Sequence, residues 1–339
     1  MQVGELINQL KAKRIPPLVL LLGEETALRD QALAALTALI SEDQATMNLA
    51  RYDMRETAVS VALDDAQSPP FFGDYREVII ESPYFLSGET GGKVEHDLDS
   101  LTAYFKNPVP STVMVIVAPY KKLDERKRLT KALKKSAVVV DTATLDEPAA
   151  KRAITTSLRQ AGVTITPGGL NTLTRRTNAN YTAMLAAVPK LKLYAANGAE
   201  LDEAAVSALV PRELTDRVFD LVSAVLAKNT AEALSIYRDL LLQKEEPIRL
   251  NNLLENQFQL LLQVKVLMQK GYAQGPLAQT LKVHPYRVKL AIQSARHLAL
   301  GSLASAYLGL VDTETQMKTG QIDKNLAFEL FVLRYAGQA

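Results

Sequence analysis

A phosphate-binding loop needs glycines so that backbone amides can fold around the phosphates, a lysine to neutralise them, and a serine or threonine for the metal. The segment Gly23-Glu24-Glu25-Thr26-Ala27-Leu28-Arg29-Asp30-Gln31 follows the apolar run Leu18 to Leu22 and has the outline of such a strand, loop and helix. Its chemistry is different. Counting the GxxxxGK[ST] spacing from Gly23 puts Leu28, Arg29 and Asp30 where Gly, Lys and Ser/Thr belong, and Glu24 and Glu25 would repel phosphate. Catalysis is poorly supplied elsewhere too. The three histidines, His96, His284 and His297, fall in no metal-binding spacing and beside no activated serine, and there is no cysteine. Asp64-Asp65 and Glu245-Glu246 read as solvated residues or helix-start charges and not as an acid and base pair. No catalytic residue, cofactor-binding residue or metal ligand is assigned.

Two stretches could contact nucleic acid. Residues 121–135 hold eight basic side chains, Lys121, Lys122, Arg126, Lys127, Arg128, Lys131, Lys134 and Lys135, against Asp124 and Glu125. Lys121, Lys122, Arg126 and Lys127 are the candidate phosphate contacts. The competing reading is an amphipathic helix with a basic solvent face, whose Leu123, Leu129 and Leu133 face a sheet. Residues 277–288 imitate a helix-turn-helix, but Lys282 stands where a turn glycine is common, and bundle packing is the simpler reading.

A third constellation suits a protein partner. In Gln67-Ser68-Pro69-Pro70-Phe71-Phe72-Gly73, a helix over 57–67 must stop at Ser68, because a residue before proline is driven out of the helical region and Pro70 forbids continuation. Two of the chain's eight phenylalanines follow this stiffened break. Adjacent side chains on an extended or turning backbone diverge, so both rings can hardly enter one core. Either they plug the bottom of a sheet, or at least one is exposed as an anchor for another protein.

The elements that must position these residues change in kind along the chain. Up to about residue 141, apolar runs at 18–22, 48–52, 76–80, 113–117 and 137–141 alternate with helical stretches, as in a parallel sheet with crossover helices. Their Val, Ile and Met content predicts strands buried on both faces. From 142 to 210 the strand signal gives way to short helices over 148–161, from Pro167, and over 181–194. Beyond Pro211, six segments rich in Leu and Ala predict a bundle: 214–226, 230–243, 246–268, 285–299, 301–318 and 324–335. Gly271 and Gly275-Pro276 read as turns between them. Three domains are therefore expected, at 1–141, 142–210 and 211–339.

Composition narrows the class. With 339 residues, 47% of them hydrophobic, the chain can bury more than one core. No apolar run approaches the roughly 20 residues of a membrane span. The N-terminal residues lack the regions of a secretion signal, and a cysteine-free chain fits a reducing compartment, so the cytoplasm is the expected location. A net charge of +2 leaves any nucleic-acid contact to a local patch.

Taken together, these segments resemble the delta-subunit family of the bacterial DNA polymerase III clamp loader along essentially the whole chain. The resembling residues are Leu22-Gly23-Glu24-Glu25, Gln67 through Phe72 before Arg76-Glu77-Val78-Ile79-Ile80-Glu81, Glu246-Pro247-Ile248, residues 257–265, His284-Pro285-Tyr286-Arg287-Val288-Lys289, and Lys318-Thr319-Gly320-Gln321-Ile322-Asp323. The C-terminal ones look like the versions found in Firmicutes. Asn178-Ala179-Asn180-Tyr181 departs from the usual Gly-rich helix start, and Phe71 stands where clamp-binding peptides more often have Leu.

The resemblance implies an α/β AAA+-like domain with a degenerate P-loop, a small helical lid domain and an all-α collar bundle. It implies a non-catalytic subunit of the polymerase holoenzyme that takes part in DNA replication, binding the beta sliding clamp and opening its ring for loading onto primed DNA. Phe71 and Phe72 would enter a pocket on the clamp, Gln67 would add a polar contact, and Pro69 and Pro70 would stiffen the approach. The collar would join the tau/gamma motor subunits and the delta-prime subunit. The rival readings are a helix-turn-helix regulator using 277–292 and a divergent AAA+ ATPase.

Overall fold

The computed structural model describes residues 1–88, 93–211 and 214–337. The chain divides into two compact units, Met1–Leu145 and Asp146–Ala339.

The first unit runs α1 (Val3–Lys11), β1 (Leu18–Leu22), α2 (Thr26–Thr37), α3 (Glu42–Asn48), β2 (Leu49–Asp53), α4 (Val59–Gln67), β3 (Arg76–Glu81), α5 (Leu98–Lys106), β4 (Thr112–Ala118), α6 (Arg128–Ser136) and β5 (Val138–Asp141). All five strands are parallel, in the order β2-β3-β4-β1-β5. Alternation along each strand sends side chains to opposite faces and so builds two cores. Leu18, Leu20, Val78, Ile80, Met114 and Ile116 pack against α4, α5 and α6. Val19, Leu21, Ile79, Val113, Val115 and Val140 pack against α1 and α2. This is the α/β class, a parallel sheet with crossover helices, expected from the sequence.

Burial on both faces holds for β1, β3 and β4 but not for β2 and β5, whose residues are mostly half-exposed. Those two are the edge strands, where one side has no neighbour and helices cover less of each face. Asn48 is not the first residue of β2 but the last of α3.

The second unit is helical: α7 (Glu147–Gln160), α8 (Pro167–Arg176), α9 (Tyr181–Tyr194), α10 (Glu203–Leu209), α11 (Leu214–Leu226), α12 (Thr230–Leu242), α13 (Pro247–Gln269), α14 (Gln274–Leu281), α15 (Pro285–Arg296), α16 (Leu300–Lys318) and α17 (Lys324–Gly337). Asp146, Thr166, Asn180 and Asp202 each accept a backbone N–H at a helix start, the usual work of short polar side chains there. Apolar stripes of α11 to α13 and α15 to α17 share one core around Tyr237, Leu254, Phe258, Leu261 and Phe328. Gly275-Pro276 is not a turn. It lies in the first turn of α14, where a proline's missing N–H is no loss. Glu147 joins two elements of the unit, accepting from Lys151 on α7 (2.9 Å) and Lys289 on α15 (2.6 Å). No helix among the described residues is long and apolar enough to cross a membrane.

Candidate functional site

Two candidate sites lie at opposite ends of the strands. Ligands of open parallel sheets collect at the carboxyl ends of the strands, and Gly23 leaves β1 there. Its φ of +145° is open only to glycine, and a Cβ would come within 2.0 Å of the Thr142 carbonyl carbon. The residue type that suggested phosphate is thus demanded by a backbone crossing between the exits of β1 and β5. Glu25 N–H donates to Thr142 O (2.9 Å), the Glu25 residue is buried, and Glu24 lies 3.9 Å from Lys121 Nζ. Arg29, in the lysine position of a phosphate loop, donates to Thr26 Oγ1 (3.2 Å).

The amino ends of the strands carry Gln67 to Phe72, before β3. Helix α4 ends at Gln67, and Ser68 is extended (φ −74°, ψ 141°), as the following prolines require. Gln67 is exposed and Pro70 half-buried. Phe71 and Phe72 are 61% and 65% exposed, with their rings edge to face at 4.8 Å. The core-plug reading is thereby excluded, because neither ring enters a core.

The loop's backbone is held from below. The side-chain amide of Asn48, buried at the end of α3, accepts from Phe71 N–H (2.8 Å) and donates to Phe72 O (2.5 Å). On the far flank Arg76 pairs with Asp65 and reaches Pro69 O (3.4 Å), while the Tyr52 hydroxyl donates to Asp65 (3.2 Å). Burial, then the Asp65 carboxylate, raises the Tyr52 pKa above its ordinary value. Asp65 is therefore no solvated charge; it ties α4 to β2 and β3. Gly73 turns the chain at φ +79°, with Gln44 of α3 occupying the space of a Cβ. Asn48 escaped the sequence reading because its partners lie 23 and 24 residues away and no local pattern links them.

The basic stretch is not one helix. Residues 121–127 form a loop before α6, though Leu123, Leu129 and Leu133 do face the sheet core. Lys127 Nζ donates to the carbonyls of Phe85 and Ser87 (2.8 Å each), Arg126 pairs with Asp124 (2.9 Å), and Lys134 pairs with Glu125. Lys121 and Lys122 are exposed, as are Arg128, Lys131 and Lys135 along α6. The helix-turn-helix outline at α14 and α15 is real, with Lys282 in the left-handed conformation (φ 54°, ψ 37°) that a glycine would otherwise take. Its second helix, however, faces inward. Tyr286, Val288 and Ala291 are buried, Arg287 reaches Gln257 (3.5 Å) and Lys289 pairs with Glu147. No group of three or more potential metal ligands occurs among the described residues.

The chain is 35% identical over 334 residues to the DNA polymerase III subunit delta of Bacillus subtilis (strain 168), covering 98% of this chain and 96% of that protein. The chain belongs to the DNA polymerase III delta-subunit family. Residues 20–143 match the family model of the DNA polymerase III delta subunit, and residues 215–335 match that of its C-terminal domain. Among solved structures, the Bacillus subtilis DNA clamp loader delta protein superposes with a TM-score of 0.81 at 34% identity, covering 99% of this chain and all of that one. The exposed phenylalanines fall within the first matched segment, and the bundle helices α12 to α16 within the second.

Proposed function

We propose that this delta-family chain binds a ring-shaped sliding clamp through Phe71 and Phe72 and opens one interface of that ring, as a non-catalytic clamp-loader subunit acting in the cytoplasm. The observation that carries the reading is the pair of large, exposed aromatic rings on a loop whose backbone is held by buried groups. Exposed aromatics on a fixed backbone are the usual anchors of protein interfaces. Gln67, exposed at the end of α4, adds a polar contact beside them, and Pro70 limits the loop's freedom.

Ring opening needs no chemistry on this chain. A protein that binds the opened ring more tightly than the closed one shifts the equilibrium by no more than that difference in affinity. Residues 142–210 serve as the lid and 211–339 as the collar in this proposal. The collar joins the tau/gamma motor subunits and delta-prime. Supporting this, Leu326, Leu330 and Leu333 recur at i, i+4 and i+7 and leave an apolar stripe exposed on α17. Lys121 and Lys122, exposed beside the exit of β1, are the remaining candidates for contact with primed DNA, which reaches the chain through the assembled loader.

The test is the double substitution Phe71→Ala with Phe72→Ala. Truncating two central aromatic anchors, each contributing about 2 kcal/mol, should weaken clamp binding about a hundredfold or more. Exposed side chains contribute little to a core, so the thermal midpoint should hardly move. A folded double variant that binds the clamp like the parent would refute the proposal.

A further inference from the structure

The contacts made by Asn48 carry an inference beyond the anchors themselves. Its side chain is 0% exposed, and its one amide satisfies both a donor and an acceptor of the loop, Phe71 N–H and Phe72 O. Pro69 and Pro70 have no N–H, so Phe71 offers the first backbone donor after the helix break, and Asn48 takes it. With Arg76 on Pro69 O, three backbone groups of the loop are held from inside while both rings are left outside. Both side-chain polar atoms of Asn48 are engaged by the loop, and a flipped amide would set oxygen against the Phe72 carbonyl and nitrogen against the Phe71 N–H.

We propose that Asn48 is a positioning residue for clamp docking, fixing the backbone of Phe71 and Phe72 in the docked geometry before the clamp arrives. The inference rests on the reading of those two phenylalanines as clamp anchors. Its physical content is preorganisation: residues already ordered do not have to be ordered on binding. Releasing part of the backbone of two residues should weaken binding about tenfold to a hundredfold.

The experiment measures three things on the full chain. In the parent, hydrogen exchange at the Phe71 amide should be slow for an exposed loop; exchange at a free-chain rate would overturn the proposal with no substitution made. In Asn48→Ala, that exchange should become fast and clamp affinity should fall about tenfold to a hundredfold, measured at a temperature where the variant is fully folded. A merely structural asparagine would lower the melting temperature and leave the affinity alone. Asn48→Asp keeps the volume and the acceptor but removes the donor to Phe72 O, so it should also lose affinity, and it serves as the second variant should Asn48→Ala fail to fold. Unchanged affinity in the folded Asn48 variants, with affinity lost in the Phe71→Ala, Phe72→Ala protein, would sink the role of Asn48 and leave the anchors standing. Normal binding by the phenylalanine variant would remove the anchor reading and this inference together.

Discussion

At the scale of single residues, the type of a side chain and its use in the fold can part company. Gly23 has the identity expected in a phosphate loop, yet its φ of +145° and the 2.0 Å approach of its missing Cβ to Thr142 make it a requirement of two strands leaving the sheet side by side. Gly23→Ala should therefore destabilise the protein by about 3 kcal/mol or more, from a disallowed backbone and an overpacked crossing, read as a lower urea midpoint. ATP is a separate matter. With carboxylates Glu24 and Glu25 at the start of α2 and Arg29 turned to Thr26, calorimetry on the isolated chain should register no saturable heat on adding ATP. Binding that is abolished by changing Arg29 would refute this. Asn48 shows the converse, a residue with no motif around it whose two hydrogen bonds hold the loop.

Elements rather than residues place the candidate anchors. Helix α4 must stop where Pro69 begins, and β3 must start at Arg76 in register with Thr112 of β4, so the intervening residues are confined to the amino-terminal edge of the sheet. Strand β3 also carries a testable electrostatic cost. Glu77 is buried between Leu49 and Val113 of the neighbouring strands, with one oxygen 3.5 Å from Thr37 Oγ1 and the other without a partner among the described residues. Burial raises its pKa from 4.5 to about 7, against weaker opposing effects of Thr37 and Arg51. The fold thus favours the neutral carboxyl. The stability this gives is whole below the unfolded pKa and is lost as pH rises through the folded one. Glu77→Gln should accordingly raise the melting temperature at about pH 8, by an amount corresponding to up to about 3 kcal/mol, and change it little at about pH 4. Equal shifts at both pH values would show that the carboxylate is not the cause.

For the whole molecule, the division at Leu145 separates the proposed clamp contact from the proposed collar. Met1–Leu145 contains the five-stranded sheet, the cores on its two faces, Asn48 and the loop bearing Phe71 and Phe72. A fragment of residues 1–145 should unfold cooperatively and bind the sliding clamp within about tenfold of the full chain, while failing to enter a reconstituted loader. Entry of that fragment into the loader would place assembly outside the helical unit. A cut at residue 210 is a poorer dissection, because it separates Glu147 from Lys289 inside one compact unit.

Features that depend only on neighbouring residues were legible before any fold was known. Short apolar runs specified β1 at 18–22 and the cores of β3 and β4, and Leu-rich periodicity specified α11 at 214–226. Two prolines ended α4, because that restriction acts between adjacent residues. Helices such as α1, α3, α5 and α10 were not legible: they are short, and their few apolar residues acquire meaning only against a sheet or a neighbouring helix. Tertiary structure alone decided that both phenylalanines point outward, that Lys127 is committed to two carbonyls, and that Gly23 is held by Thr142. It also brought Asn48 beneath Phe71. Each of those facts depends on chain segments far apart in sequence meeting at one place, which no spacing within a segment encodes.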